Sequence, residues 1–387
     1  MISSLKLLPP DPLLTIMRGA REDLRPHKID LGVGVYCDEN GKTPVMRAIK
    51  EAERRLFAEE TTKTYVAQQG NAEFLRLMQD LVFGPRAEPL VAVQAVGGTG
   101  ALRIACDLLR LAGVKRVLLP SPSWPNHPAL LAAAVLERVD VLCFDVATQR
   151  LDLDRLLESM SALSAGDAVL LQVCCHNPLG ADFSLEQWDA ITDEMLKRGL
   201  IPLLDLAYQG LGDGVEEDVA PLRHVLARVP EAVVTVSGSK TFGVYRERAG
   251  ALFVHCPVNA RDATLSNIFA LTRANYSMPP DHGAALVRIV LSDPALRADW
   301  ETELAQMRVR MKNTRAALAA ARVNSVPMGM IGEQKGMFTT LPLSLDQITR
   351  LRSEHAIHMT EKGRVNIAGF RERDIPRFIE ALSAIAG

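Results

Sequence analysis

The chain is short of aromatic residues, which make up 5% of it, and it carries six cysteines in 387 residues. No two cysteines stand in a C-x-x-C pair, so the usual spacing of a structural zinc site is missing. Cys174 and Cys175 are adjacent and the others are scattered, which is no disulfide framework. No uninterrupted apolar run approaches the ~18 residues of a membrane span. The prolyl pair Pro9-Pro10 interrupts the N-terminal stretch where a signal peptide needs a continuous apolar core. A formal net charge of −2 leaves no electrostatic footprint for nucleic acid or an anionic membrane. G-x-G-x-x-G and the Gly-Lys-Ser/Thr of a P-loop are both missing, as are internal repeats and low-complexity tracts. These absences describe a cytoplasmic protein with no metal centre and no nucleic-acid or membrane partner.

What is present is an ordinary globular composition, 48% hydrophobic and 23% charged, in a chain long enough for two domains. From residue 116 onward, short apolar runs alternate with helical patterns. RVLLP (116–120), VDVLCFDV (139–146), AVLLQVCCH (168–176), LIPLLDLAY (200–208) and VVTV (233–236) read as strands. Residues 184–198 read as one of the intervening helices, and 45–60, 262–278, 294–322, 346–355 and 374–386 as others. This βαβ rhythm predicts an α/β fold with a mainly parallel sheet covered by helices. Residues 31–44, LGVGVYCDENGKTP, contain Gly32 and Gly34, which fit either a bulged strand or a close approach of backbone to a ligand.

Polar residues cluster just past the strands, where open α/β sheets bind ligands. Asn177 follows one run and Asp205 ends another, with Tyr208 close behind. Trp124 and His127 follow RVLLP. Lys240 follows VVTV, flanked by Ser237 and Ser239, with Tyr245, Arg246 and Arg248 beyond. Gly97-Gly98-Thr99-Gly100 opens a helix ending at Gly113. Such a turn aims N–H groups and a positive dipole end at an anion, although a plain tight turn explains it too. A desolvated lysine can act as a Schiff-base nucleophile. A carboxylate can keep a pyridine nitrogen protonated, Asn and Tyr can donate to a phenolic oxygen, and a tryptophan can stack on a ring. Together these are the requirements of pyridoxal 5'-phosphate.

The segments LGVGVYCDENGKTP, TTKTY, GGTGALR, SPSWPNH, CCHNPLG, DLAYQG, SGSKTFGVYRERAG, RANYSMPP and GRVNIAG resemble, in order, the aspartate and aromatic amino acid aminotransferases of fold type I. They span nearly the whole chain. The resemblance implies a large cofactor-binding domain over residues 45–306, and a smaller α+β domain of residues 1–44 and 307–387. It also implies transamination, in two stages, from aspartate, glutamate or aromatic amino acids to 2-oxoglutarate or oxaloacetate. A β-lyase or decarboxylase on the same fold is the alternative, with a non-catalytic cofactor sensor more remote.

By the same resemblance Lys240 forms the internal aldimine, Asp205 pairs with the ring nitrogen and His127 supports it. Asn177 and Tyr208 bind the phenolic oxygen, and Trp124 stacks on the ring. Gly98, Thr99, Ser237, Ser239 and Arg248 hold the phosphate, with Tyr65 reaching it from the other subunit of a homodimer. Arg364 and Asn177 clamp the substrate α-carboxylate, Arg273 crosses the interface to a side-chain carboxylate, and Gly34 lies over the substrate. Leu179, Gly238, Met278 and Cys37 depart from the family's usual residues, and the last two bear on substrate preference.

Overall fold

The computed structural model of the chain describes residues 2–7, 12–85 and 90–385. Pro9, Pro10 and the expected end of the last helix at residue 386 lie outside the described residues. The apolar runs form a seven-stranded sheet. In spatial order its strands are Val91–Val96, Ala249–His255, Ala232–Ser237, Ile201–Leu206, Ala168–Gln172, Arg116–Ser121 and Glu137–Leu142. Ala249–His255 runs antiparallel to both its neighbours, and the remaining pairs are parallel.

The strands read as continuous apolar runs because both faces of the sheet are covered. Val169, Leu171, Leu204 and Val234 pack into one core with Trp188 and Ile191 of the helix Leu185–Arg198. The alternate residues Leu170, Leu203 and Val233 pack into the other, with Ile104 of the helix Gly97–Leu111 and Ile268 of Arg261–Asn275. The period-2 alternation of a strand divides consecutive residues between the two layers. Leu185–Arg198 begins with a reciprocal Ser184–Gln187 capping box and ends at left-handed Gly199, so its ends were readable in the sequence.

The long helix Pro294–Ala319 forms in one piece, as its pattern predicts. Trp300 of this helix stacks on Phe242 with ring centroids 4.8 Å apart, and its indole N–H donates to the Thr241 carbonyl at 2.8 Å. The helix is thereby tied to the loop that carries Lys240. The first and last parts of the chain meet: Ile29–Asp30 pairs in parallel with Ile357–His358, and Phe338–Thr340 pairs antiparallel with Arg364–Asn366.

Some expectations needed correction. VDVLCFDV is not one strand: it breaks at Cys143, whose carbonyl accepts the Asp152 N–H at 2.8 Å, and Phe144–Asp145 pairs instead with Arg150–Leu151. Residues 31–44 form no bulged strand. They follow an irregular course held by Asn366, whose side-chain amide donates to the carbonyls of Val33 and Val35. The helix expected over 262–278 stops at Asn275, since Ser277 takes a positive φ of 68°. Among the described residues no helix is long and apolar enough to cross a membrane.

Candidate active site

The parallel strands all end along one edge of the sheet, and the polar residues that follow them converge there. Arg248 arrives from the opposite direction. Because Ala249–His255 runs antiparallel, its first residues lie where its neighbours finish: Ala249 is opposite Val96 and Gly250 opposite Ser237. The resulting cleft holds about 600 Å³ including its mouth, within the roughly 300–1,000 Å³ of small-molecule sites. Gly34, Gly98, Thr99, Trp124, Asp205, Tyr208, Ser237, Ser239, Lys240, Tyr245 and Arg248 line it.

Lys240 sits in the short helical turn Gly238–Thr241 that continues its strand. Its amine lies 5.1 Å from the centre of the Tyr208 ring. Burial disfavours the charged ammonium and pushes the lysine down to about 8, so far more of the neutral amine is present near neutral pH than in a free lysine. Asp205 is buried and fully engaged. Thr235 donates its hydroxyl to Oδ1 at 2.9 Å, and His127 Nε2 lies 3.2 Å from Oδ2. His127 Nδ1 is in turn 2.8 Å from Ser123 Oγ, and the indole of Trp124 meets the imidazole edge-on at 5.2 Å.

On the other side, the Asn177 amide donates to the Tyr208 hydroxyl at 3.0 Å, while its oxygen accepts from Arg364 Nη1 at 3.3 Å. Arg364 also donates to the Gly32 carbonyl at 2.9 Å and lies 4.6 Å from the Phe338 ring centre. It is buried, and among the described residues no carboxylate contacts it and its Nε has no hydrogen-bond partner. A buried guanidinium satisfied only by neutral acceptors is costly, and its charge is available to an incoming anion.

An anion cradle closes the remaining end. The helix Gly97–Leu111 presents its first turn, with Gly98 and Thr99, to the cleft. Arg248 Nη1 donates to Ser239 Oγ at 3.2 Å and to the Tyr245 carbonyl at 2.9 Å. Gly97 has φ 65°, and a Cβ there would stand 2.5 Å from Arg248 Nη2. A Cβ on Gly98 would come within 2.9 Å of Ser237 Cβ. Only glycine lets the helix start and the guanidinium come this close. A lysine whose neutral form burial favours, a ring-sized cleft, a fixed carboxylate and this cradle match the aldehyde, pyridine nitrogen and phosphate of pyridoxal phosphate.

Some of the expected residues are not brought together in one chain. Tyr65 is 88% exposed, and Arg273 is exposed at the end of its helix, bonded to Ser277 and near Met278. Neither lines this chain's own cleft. Leu179 is buried, Gly238 starts the Lys240 turn, and the Cys37 N–H pairs with the Ala368 carbonyl. Residues missed by sequence reading include Thr235 and Ser123, which hold Asp205 directly and through His127. The one available signal was a hydroxyl inside the otherwise apolar run VVTV. Among the described residues one buried group, Cys174, Cys175 and Asp218, has metal-ligating atoms within 4.8 Å of one another. Asp218 is already committed, accepting the N–H groups of Gly210, Gly212 and Asp213.

The fold and the cleft define a fold type I enzyme built around pyridoxal phosphate. Residues 26–382 match the family model described as aminotransferase class I and II. The chain is 48% identical to a tyrosine aminotransferase of Rhizobium meliloti, over 93% of its own length and 94% of the relative's. It is 41% identical to an aspartate aminotransferase of Escherichia coli over the full length of both. The crystal structure of an aromatic-amino-acid aminotransferase from Burkholderia pseudomallei, covalently bound to pyridoxal phosphate, superposes with a TM-score of 0.96 at 36% identity over the whole of both chains. The chain therefore belongs to the aminotransferase class I and II family. It is a pyridoxal-phosphate-dependent transaminase.

Proposed function

We propose that this transaminase takes both aromatic and dicarboxylic amino acids, passing the amino group to 2-oxoglutarate or oxaloacetate. The observation that carries the chemistry is the buried Lys240, its ammonium disfavoured by burial, in one cleft with the fixed Asp205 carboxylate and with Tyr208 of the Asn177–Tyr208–Arg364 line. The pairing of substrates draws support from relatives named for tyrosine, aromatic amino acids and aspartate. Pyridoxal phosphate, when bound, supplies the electron sink that lets an amino acid lose its α-proton.

The protein's own groups would do the rest. Lys240 Nζ would hold the cofactor covalently and then carry the proton as general base and acid. Asp205, oriented by Thr235 and His127, would face the ring nitrogen as a fixed negative charge. Tyr208 and Asn177 would bind the phenolic oxygen, and Trp124 would cover the ring face. Gly98, Thr99, Ser237, Ser239 and Arg248 would hold the phosphate. Arg364 would take the substrate α-carboxylate with Asn177, under the segment that carries Gly34.

Tyr65 and Arg273, exposed in the single chain, fit residues that serve a second subunit, so the proposal includes a homodimer with shared sites. The domain division belongs to the same reading, with residues 45–306 as the cofactor domain and residues 1–44 with 307–387 as the smaller one. A cytoplasmic location fits the six free cysteines, four of them buried. Initial rates with aspartate, tyrosine and phenylalanine against 2-oxoglutarate test the substrate reading. Turnover of only one class would restrict it to that class.

A further inference from the structure

Tyr245 stands five positions beyond Lys240, lines the cleft, and reaches in two directions. Its carbonyl accepts from Arg248 Nη1 at 2.9 Å, inside the anion cradle. Its hydroxyl accepts the backbone N–H of Tyr36 at 3.0 Å. Burial raises the phenol well above its ordinary range, so it remains a neutral hydroxyl through the working pH range.

The second bond ties the segment over the cleft directly to the Lys240 loop, beside the Arg364–Asn177 bond that also joins the last part of the chain to the sheet edge. Tyr36 belongs to the irregular segment that carries Gly32 and Gly34. Elsewhere that segment is fastened to the last part of the chain. Asn366 donates to Val33 and Val35, Arg364 donates to Gly32, Cys37 donates to Ala368, and a Cβ on Gly34 would lie 3.5 Å from Phe338. Tyr245 instead comes from the Lys240 loop, which is anchored to the large sheet. A hydrogen bond between these two bodies sets how the segment sits over the cleft.

We infer that the Tyr245 hydroxyl is a positioning residue, a latch that acts through the Tyr36 amide to seat the Gly34 segment over the bound amino acid. The inference rests on the reading that Gly34 lies over the substrate. The phenol makes no step of the reaction. It raises the fraction of molecules in which Gly34 and the Gly32 carbonyl, and through it Arg364, stand ready for substrate. A first ligand contact that needs a seated segment is weakened by the fraction of time the segment is unseated.

The test uses the holoenzyme of wild type, Tyr245→Phe and Gly34→Ala. The phenylalanine ring keeps the packing and removes only the hydroxyl, and a methyl on Gly34 meets ordinary contact distances. Single-turnover titration with aspartate should show the apparent dissociation constant of Tyr245→Phe raised about threefold to tenfold, the scale of one hydrogen bond. Its maximal rate should stay within about twofold, and cofactor affinity and melting temperature should be unchanged. Amide exchange of the 31–37 peptide should be faster in Tyr245→Phe than in wild type, and saturating succinate should slow both. A purely structural tyrosine would lower the melting temperature and leave that local exchange and the KM-to-kcat split alone.

An unchanged dissociation constant, or unchanged exchange of the 31–37 peptide, overturns the latch. A loss of cofactor affinity in place of substrate affinity also overturns it, because Tyr245 would then act through Arg248. Gly34→Ala separates the two levels of the argument. If it leaves aspartate binding unchanged, the failure lies with the seat of Gly34 over the substrate, and the latch falls with it. If it weakens aspartate binding while Tyr245→Phe does not, only the latch fails.

Discussion

Asp205 and Thr235 are direct cross-strand partners in the parallel pair Ile201–Leu206 and Ala232–Ser237, and the threonine hydroxyl donates to the carboxylate at 2.9 Å. The carboxylate is thus held by the same register that builds the sheet. His127 takes the other oxygen. A fixed charge of this kind needs no reorganisation when the reaction demands it, which is where preorganised electrostatics gain their strength.

Asp205→Asn keeps the shape and removes the charge. Single-turnover α-proton exchange should fall on the order of a hundredfold or more, with cofactor affinity falling much less. Thr235→Val should show a milder form, because a buried carboxylate oxygen loses its donor at a cost of about 1–3 kcal/mol. Normal half-reaction rates in Asp205→Asn would refute the electronic role.

Lys240 gives a pH prediction whose sign follows from burial. Its folded value lies at about 8, below the ordinary value of 10.5, because the charged form is disfavoured. Capture of pyridoxal phosphate by the apoenzyme should therefore accelerate as pH rises through about 8 and then level off, as the neutral amine is the nucleophile. Between about 8 and 10.5 the unfolded chain binds more protons than the folded one, so apoenzyme stability should rise with pH in that window. Borohydride treatment of the holoenzyme should place the cofactor on the Lys240 peptide. Label on another lysine would sink the assignment.

Arg273→Ala should act selectively. The guanidinium offers parallel donors suited to a distal carboxylate, and an aromatic side chain has no use for them. Loss of the partner of a desolvated carboxylate costs about 2–5 kcal/mol, or roughly 30- to several-thousand-fold in kcat/KM for aspartate and 2-oxoglutarate. Tyrosine and phenylalanine half-reactions should change by about tenfold or less. Equal losses in both classes would make Arg273 structural.

Shared sites can be checked by mixing. A Lys240→Ala subunit combined with an Arg273→Ala subunit gives hybrids with one site carrying both defects and one carrying neither. Aspartate transamination should reappear after subunit exchange. Hybrids that form without recovery would show that Arg273 serves its own chain.

Residue patterns determined a good deal of this protein. The β-branched run 233–236 followed by Ser-Gly-Ser-Lys marked both a buried strand and the polar turn at its end, because strand period and turn chemistry are local properties. The helix read over 184–198 and the long helix Pro294–Ala319 were legible for the same reason. Strand direction was not legible. An apolar run reads the same either way, so the antiparallel course of Ala249–His255, which delivers Arg248 to the cleft, was set by packing between Val91–Val96 and Ala232–Ser237. The break at Cys143 depended on a bond from Asp152. Thr235 and Tyr245 gained their roles from partners 30 and 209 positions away. Local sequence specifies which residues can donate, accept or become neutral when buried; only the folded chain decides which of them meet, because register and burial are long-range properties.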